Sequence, residues 1–164
     1  MKRWIWLLGL VLAPQLLPAQ VPPAPPPEAR QFDFWLGEWN VVTPDGKPAG
    51  QSRIEKIAGG WGLLENWTDA DGTSGKSINT WFPAKKQWQQ FWVGSGGALE
   101  LSGELNAKGE MVLAGATPVA TGGKRLQRIT WTPNPDGTVR QHWQQSTDGG
   151  ATWTTAFDGL YRRK

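Results

Sequence analysis

An all-β fold is predicted here: an antiparallel up-and-down β-barrel of nine or ten strands with a short N-terminal helical turn. Three observations predict it. First, turn signals recur at roughly the 8–12-residue spacing of a sandwich or barrel. They are Pro44-Asp45-Gly46, Gly59-Gly60, Asp71-Gly72, Pro83-Ala84, Gly96-Gly97, Lys108-Gly109, Gly122-Gly123, Pro135-Asp136-Gly137 and Asp148-Gly149-Gly150. Second, the runs between them alternate with the period of half-buried strands. Leu99, Leu101, Gly103 and Leu105 alternate with Glu100, Ser102 and Glu104. Ile129 and Trp131 alternate with Arg128, Thr130 and Thr132, and Val139, Gln141 and Trp143 with Arg140, His142 and Gln144. Third, nothing after Leu36 sustains a helical period. Short turns between successive strands imply sequential hairpins, and closing such a ribbon removes its exposed edges.

Residues 1–19 open with Lys2 and Arg3, continue through an apolar run over 4–13 and end on small Ala19. That is the layout of a secretory signal peptide, so the protein is expected to be periplasmic or secreted. The apolar run is too short to span a bilayer. Residues 20–30 hold Pro22, Pro23, Pro25, Pro26 and Pro27, the composition of an extended tether. The folded domain is expected over 31–164. It opens on a helical turn at residues 32–36, which stops at Gly37, where a missing Cβ permits a sharp bend. The first strand follows at Trp39, an indole large enough to close one end of a barrel.

The run Phe32-Asp33-Phe34-Trp35-Leu36-Gly37-Glu38-Trp39 carries a resemblance. Its Gly-x-Trp resembles the opening of lipocalin-like (calycin) barrels. The longer Phe-Asp-Phe-Trp-x-Gly-x-Trp pattern is similar to that of a family of small exported bacterial domains of uncharacterised function. The similarity extends over most of the chain after Phe32 and implies a fold, not an activity. Asn79 two before Trp81, and Trp88-x-Gln90-x-Trp92, also resemble recurrent features of that family. In calycin-like barrels a basic residue of the last strand stacks on the opening Trp. Here Arg162 or Arg163 is placed to do so over Trp39, and a one-residue shift decides which. Ser146 to Trp153 resembles the Asp-box hairpin of sialidase propellers, a structural motif in which Asp148 bonds its own turn and Trp153 packs beneath. A single copy does not make a propeller.

Composition limits the function. The 164 residues carry a formal charge of +3. Without Lys2 and Arg3, fifteen basic residues face fourteen acidic ones, a net +1 that argues against a nucleic-acid surface. There is no cysteine, hence no disulfide, thiolate metal site or lipid-anchored Cys. The single histidine, His142, excludes a multi-His metal site. It could serve alone as an axial haem ligand, yet alternation sets it opposite Trp143, so no cofactor is expected.

Twelve tryptophans stand out. Leu63, Glu65 and Trp67 share one strand face; Ser77, Asn79 and Trp81 share the next; Trp88, Gln90 and Trp92 the third. Were these faces inward, they would form an indole-lined cavity with a few polar groups, the usual makeup of a small-molecule site. The expected ligand is a small apolar or aromatic molecule bound by a monomer, with Glu65, Trp67, Asn79, Trp81, Trp88, Gln90 and Trp92 as its contacts. Two alternatives remain. A filled barrel would act as a protein- or glycan-interaction module, through exposed indoles. A hydrolase or isomerase would use Glu65, whose strand neighbour Glu55 has no reason to face inward.

Overall fold

The computed structural model describes residues 23–120 and 122–164. The expected signal peptide, residues 1–19, lies outside the described residues, as do residues 20–22 of the expected tether. Ten strands follow in order: β1 (Gly37–Val42), β2 (Pro48–Ile57), β3 (Gly62–Asp69), β4 (Ser74–Phe82), β5 (Gln87–Gly94), β6 (Gly97–Leu105), β7 (Met111–Pro118), β8 (Lys124–Pro133), β9 (Val139–Ser146) and β10 (Thr154–Arg163). Each pairs antiparallel with its sequence neighbours, and β1 closes against β10. The fold is therefore the expected up-and-down barrel, with ten strands. Each of the nine turn signals joins successive strands. No described helix is long and apolar enough to cross a membrane.

Two 3-10 turns, Pro27–Arg30 and Asp33–Trp35, precede the barrel. Ala29 in the first is buried, so the packed body starts a few residues ahead of Gln31. The second turn delivers Phe32 and Trp35 into one end of the barrel. Phe32 stacks on Trp35 at 5.0 Å between ring centroids and meets the edges of Trp88 at 5.6 Å and Trp131 at 5.2 Å. Such offset and edge-on pairs add to the area term that each buried ring supplies. Phe32, Trp35, Trp39, Trp88 and Trp131 are all fully buried, and together they fill this end. Trp39 donates from Nε1 to the Trp35 carbonyl at 2.9 Å, which ties the plug to β1. Gly37, between them, has φ +127, a conformation that a side chain resists.

The register settles which terminal arginine covers Trp39. Arg163 lies directly opposite it across the β1–β10 pair, and Arg162 lies opposite Asn40. The Arg163 guanidinium sits 4.4 Å from the Trp39 ring centroid and donates to the Leu36 carbonyl at 3.2 Å. Arg162, the other arginine offered for that contact, belongs to the outward face, because successive strand residues point to opposite sides.

A test follows from this register. Arg163→Ala should lower the unfolding free energy by about 1 kcal/mol, through the lost cation–π contact and hydrogen bond. Arg162→Ala should change it by less than about 0.5 kcal/mol. Urea denaturation of the two variants separates them.

Candidate functional site

With one end plugged, the hollow lies toward the other. A cavity of about 220 Å³ opens there, walled by Trp67 on β3, Trp92 on β5, Leu99 on β6, Ile129 on β8, Trp143 on β9 and Phe157 on β10. Glu65, Gln90, Gln141 and Tyr161 supply polar atoms deeper in, and Asp69, the last residue of β3, completes the lining. Tyr161 sits between plug and cavity: its ring meets Trp35 and Trp39 on one side and Trp67 on the other. Trp67 also meets Phe157 edge-on at 5.9 Å.

Two local features shape the opening. The β9–β10 register shifts between Thr155 and Phe157, so Ala156 is the extra residue of a bulge. A bulge bends its strand and re-aims side chains, and both Ala156 and Phe157 line the cavity. Gly75, opposite Trp67 across β3–β4, leaves room for the Trp92 indole: a Cβ there would stand 3.0 Å from that ring.

A polar network crosses the wall beside the cavity. Ser52 donates to Glu65 Oε1 at 3.2 Å, and Ser77 donates to Oε2 at 2.8 Å. Asn79 Nδ2 donates to Ser77 Oγ at 2.9 Å, and Gln90 Nε2 donates to Asn79 Oδ1 at 2.8 Å. Every donor in this chain points toward the carboxyl of Glu65, which is 5 % exposed. Burial pushes that carboxyl up from 4.5 to about 7, against the opposing pull of Ser77 and Ser52. Across the cavity the Tyr161 phenol donates to Gln141 Oε1. Burial, with the charge of Glu65 second, holds the phenol well above its ordinary range, so it stays a neutral donor. Trp143 Nε1 donates to Gln127 Oε1 at 2.8 Å, and Gln127 donates to Thr117 at 2.9 Å.

The expected contact residues separate by height along the barrel axis. Glu65, Trp67, Gln90 and Trp92 line the cavity. Asn79 is buried behind them as a link in the network. Trp88 faces inward but belongs to the plug, where its Nε1 donates to Gln31 at 3.2 Å. Trp81, paired with Trp88 across β4–β5, packs on the core near the same end. Gln141, Trp143, Phe157 and Tyr161 were not foreseen as contacts, although the inward face of β9 was legible from its alternation.

His142 occupies the outward face of β9, with Nε2 3.0 Å from Thr155 Oγ1, and does not reach the cavity. Glu55 points outward and pairs with Arg53, so it makes no carboxylate pair with Glu65. Arg140 is engaged by Asp158 at 2.6 Å, and Arg128 lies 4.1 Å over the Trp153 ring. The β9–β10 hairpin is wired through Asp148, which accepts from Ser146 at 2.7 Å and from the Thr152 amide at 2.9 Å and its hydroxyl at 2.5 Å. These bonds, from Thr152 first, hold the Asp148 carboxyl far below the ordinary carboxylate range.

Fold and cavity together define a closed antiparallel barrel, sealed by aromatics at one end and hollow toward the other. No family model and no curated protein sequence matches the chain.

The raised Glu65 carboxyl makes stability depend on pH. The folded state holds this proton more tightly than the unfolded chain does, so stability is highest below pH 4.5. It falls as pH rises to about 7, by up to about 3 kcal/mol. Thermal melts from pH 4.5 to 8 should show that slope. Glu65→Gln should flatten it and raise the melting temperature at pH 8.

Proposed function

We propose that the chain is an exported, calycin-type binding protein that takes one small apolar or aromatic molecule into the indole-walled cavity. The reading rests on one observation: an unfilled space of about 220 Å³ with four aromatic walls and few polar groups. Drug-sized sites run to roughly 300–1,000 Å³, while an apolar void of about 150 Å³ accepts benzene. The space therefore suits a ligand of one or two rings. The layout of residues 1–19 supports export, and a barrel that leaves no sheet edge to pair supports a monomer.

The interaction-module alternative needed exposed indoles for stacking. Among the described residues every tryptophan is at least partly buried, which favours the cavity. The catalytic alternative gains from the carboxyl at about 7, a value suited to general acid–base work. However, Ser52 and Ser77 occupy both carboxyl oxygens, an arrangement that favours a fixed recognition group over a mobile proton carrier.

Nitrobenzene, a neutral aromatic quencher, should quench the tryptophan fluorescence saturably. Ile129→Trp, which fills the cavity, should weaken that binding at least tenfold while circular dichroism stays unchanged. Linear, unsaturable quenching in both proteins would refute the binding reading.

A further inference from the structure

Among the described residues the cavity holds a buried acid and no positive charge to answer it. Among its lining residues the ionisable groups are Glu65, Asp69 and Tyr161, with no Lys, Arg or His. The elements packed around Glu65 repeat the pattern. β2 presents Ser52 and Ile54, β4 presents Ser77 and Asn79, and β5, β9 and β10 present Gln90, Gln141 and Tyr161 across the space. Of the nearby basic side chains, Arg53 and Lys76 lie on outward faces, where Arg53 pairs with Glu55 and Lys76 bonds Asn66, while Lys56 shares the inward face of β2 but sits at its plug end, held by Asp33.

A buried carboxylate ordinarily has a cationic partner, because an unpaired charge in a low-dielectric interior is costly. Here the Gln90–Asn79–Ser77 chain and Ser52 orient every hydrogen toward the carboxyl, an arrangement suited to its ionised form. Much of the remaining lining is aromatic. Trp67, Trp92 and Trp143 can present ring faces to a cation, and indole is the strongest of the side-chain rings for that contact.

We propose that the ligand is a small organic cation, an aryl- or alkylammonium whose charged head lies between Glu65 and the indoles of Trp67, Trp92 and Trp143. This rests on the binding reading above and names its ligand class. The bound head supplies the missing counter-charge. Carboxylate and phosphate ligands are disfavoured, since they would bring like charge to a cavity whose only charges are acidic. Binding ionises Glu65, so the affinity for a permanent cation rises with pH through about 7. Tyr161 stays protonated across that range, and Asp69, also acidic, adds the same sign.

The test uses two probes of matched shape on the purified chain, benzyltrimethylammonium and its neutral counterpart neopentylbenzene, each titrated by tryptophan fluorescence at pH 5.5 and 8.5. The cation should bind roughly thirtyfold more tightly at pH 8.5, the change in ionised fraction for a carboxyl titrating at about 7. Neopentylbenzene should bind equally at both. Glu65→Gln should reduce cation binding at pH 8.5 to about its pH 5.5 level, with its circular dichroism unchanged, which shows that the variant folds. If neopentylbenzene binds as tightly as the cation at pH 8.5, the cation proposal fails while the binding reading stands. Undiminished cation binding in Glu65→Gln, or a pH-independent wild type, also overturns it. If neither probe binds, the binding reading itself fails.

Discussion

The aromatic plug at the Phe32 end decides what the rest of this barrel can do. A ten-stranded ribbon closed on itself encloses more space than its own small side chains fill. Here a segment outside the sheet supplies the missing volume at one end: Phe32 and Trp35 enter against Trp88, Trp131 and Trp39. Arg163 caps Trp39 from outside and bonds the Leu36 carbonyl, so the last strand fixes the segment that fills the first. Among the described residues no comparable segment enters from the far end, and the hollow among Trp67, Trp92, Trp143 and Phe157 is what the plug leaves over.

The polar groups follow from that division. An interior sealed all round would have no use for Glu65, Asn79 and Gln90, because each must find partners or cost free energy. The protein provides the partners through Ser52 and Ser77, while burial still raises the carboxyl to about 7. The result is an acid held in place by neutral donors, at the boundary between a packed floor and an open space. Tyr161 marks that boundary, touching plug indoles on one side and cavity indoles on the other. Glu65 and Tyr161 thus link the packing of the core to the chemistry of the opening.

Much of this was legible in the sequence because turns and alternation are local signals. All nine Gly- and Pro-rich turns sit between paired strands, and the inward faces of β3, β4 and β5 were readable residue by residue. Height along the barrel axis was not. A period of two says whether Trp88 faces in, but not whether it meets the plug or the cavity. That depends on the stagger between strands and on where Phe32 enters, both long-range properties. Hence Trp81 and Trp88 were grouped with Trp67 and Trp92. The choice between Arg162 and Arg163 turned on a single residue of register, which no local pattern resolves. Ser52 went unnoticed because β2 reads polar on both faces around Ile54. Phe157 keeps the inward parity of Gly159 and Tyr161, but the bulge at Ala156 breaks the alternation just before it, so the start of β10 shows no regular strand pattern.

The central claim is that the end of the barrel opposite Phe32 is hollow and apolar-walled. Diffraction from crystals pressurised with xenon tests this most directly, because xenon enters apolar voids and makes few demands on hydrogen bonding. The account predicts a xenon peak among Trp67, Trp92, Trp143 and Phe157, above Tyr161, with the plug indoles unmoved. Side chains collapsed into that space with no xenon bound, or a peak only among Phe32, Trp35 and Trp131, would contradict it.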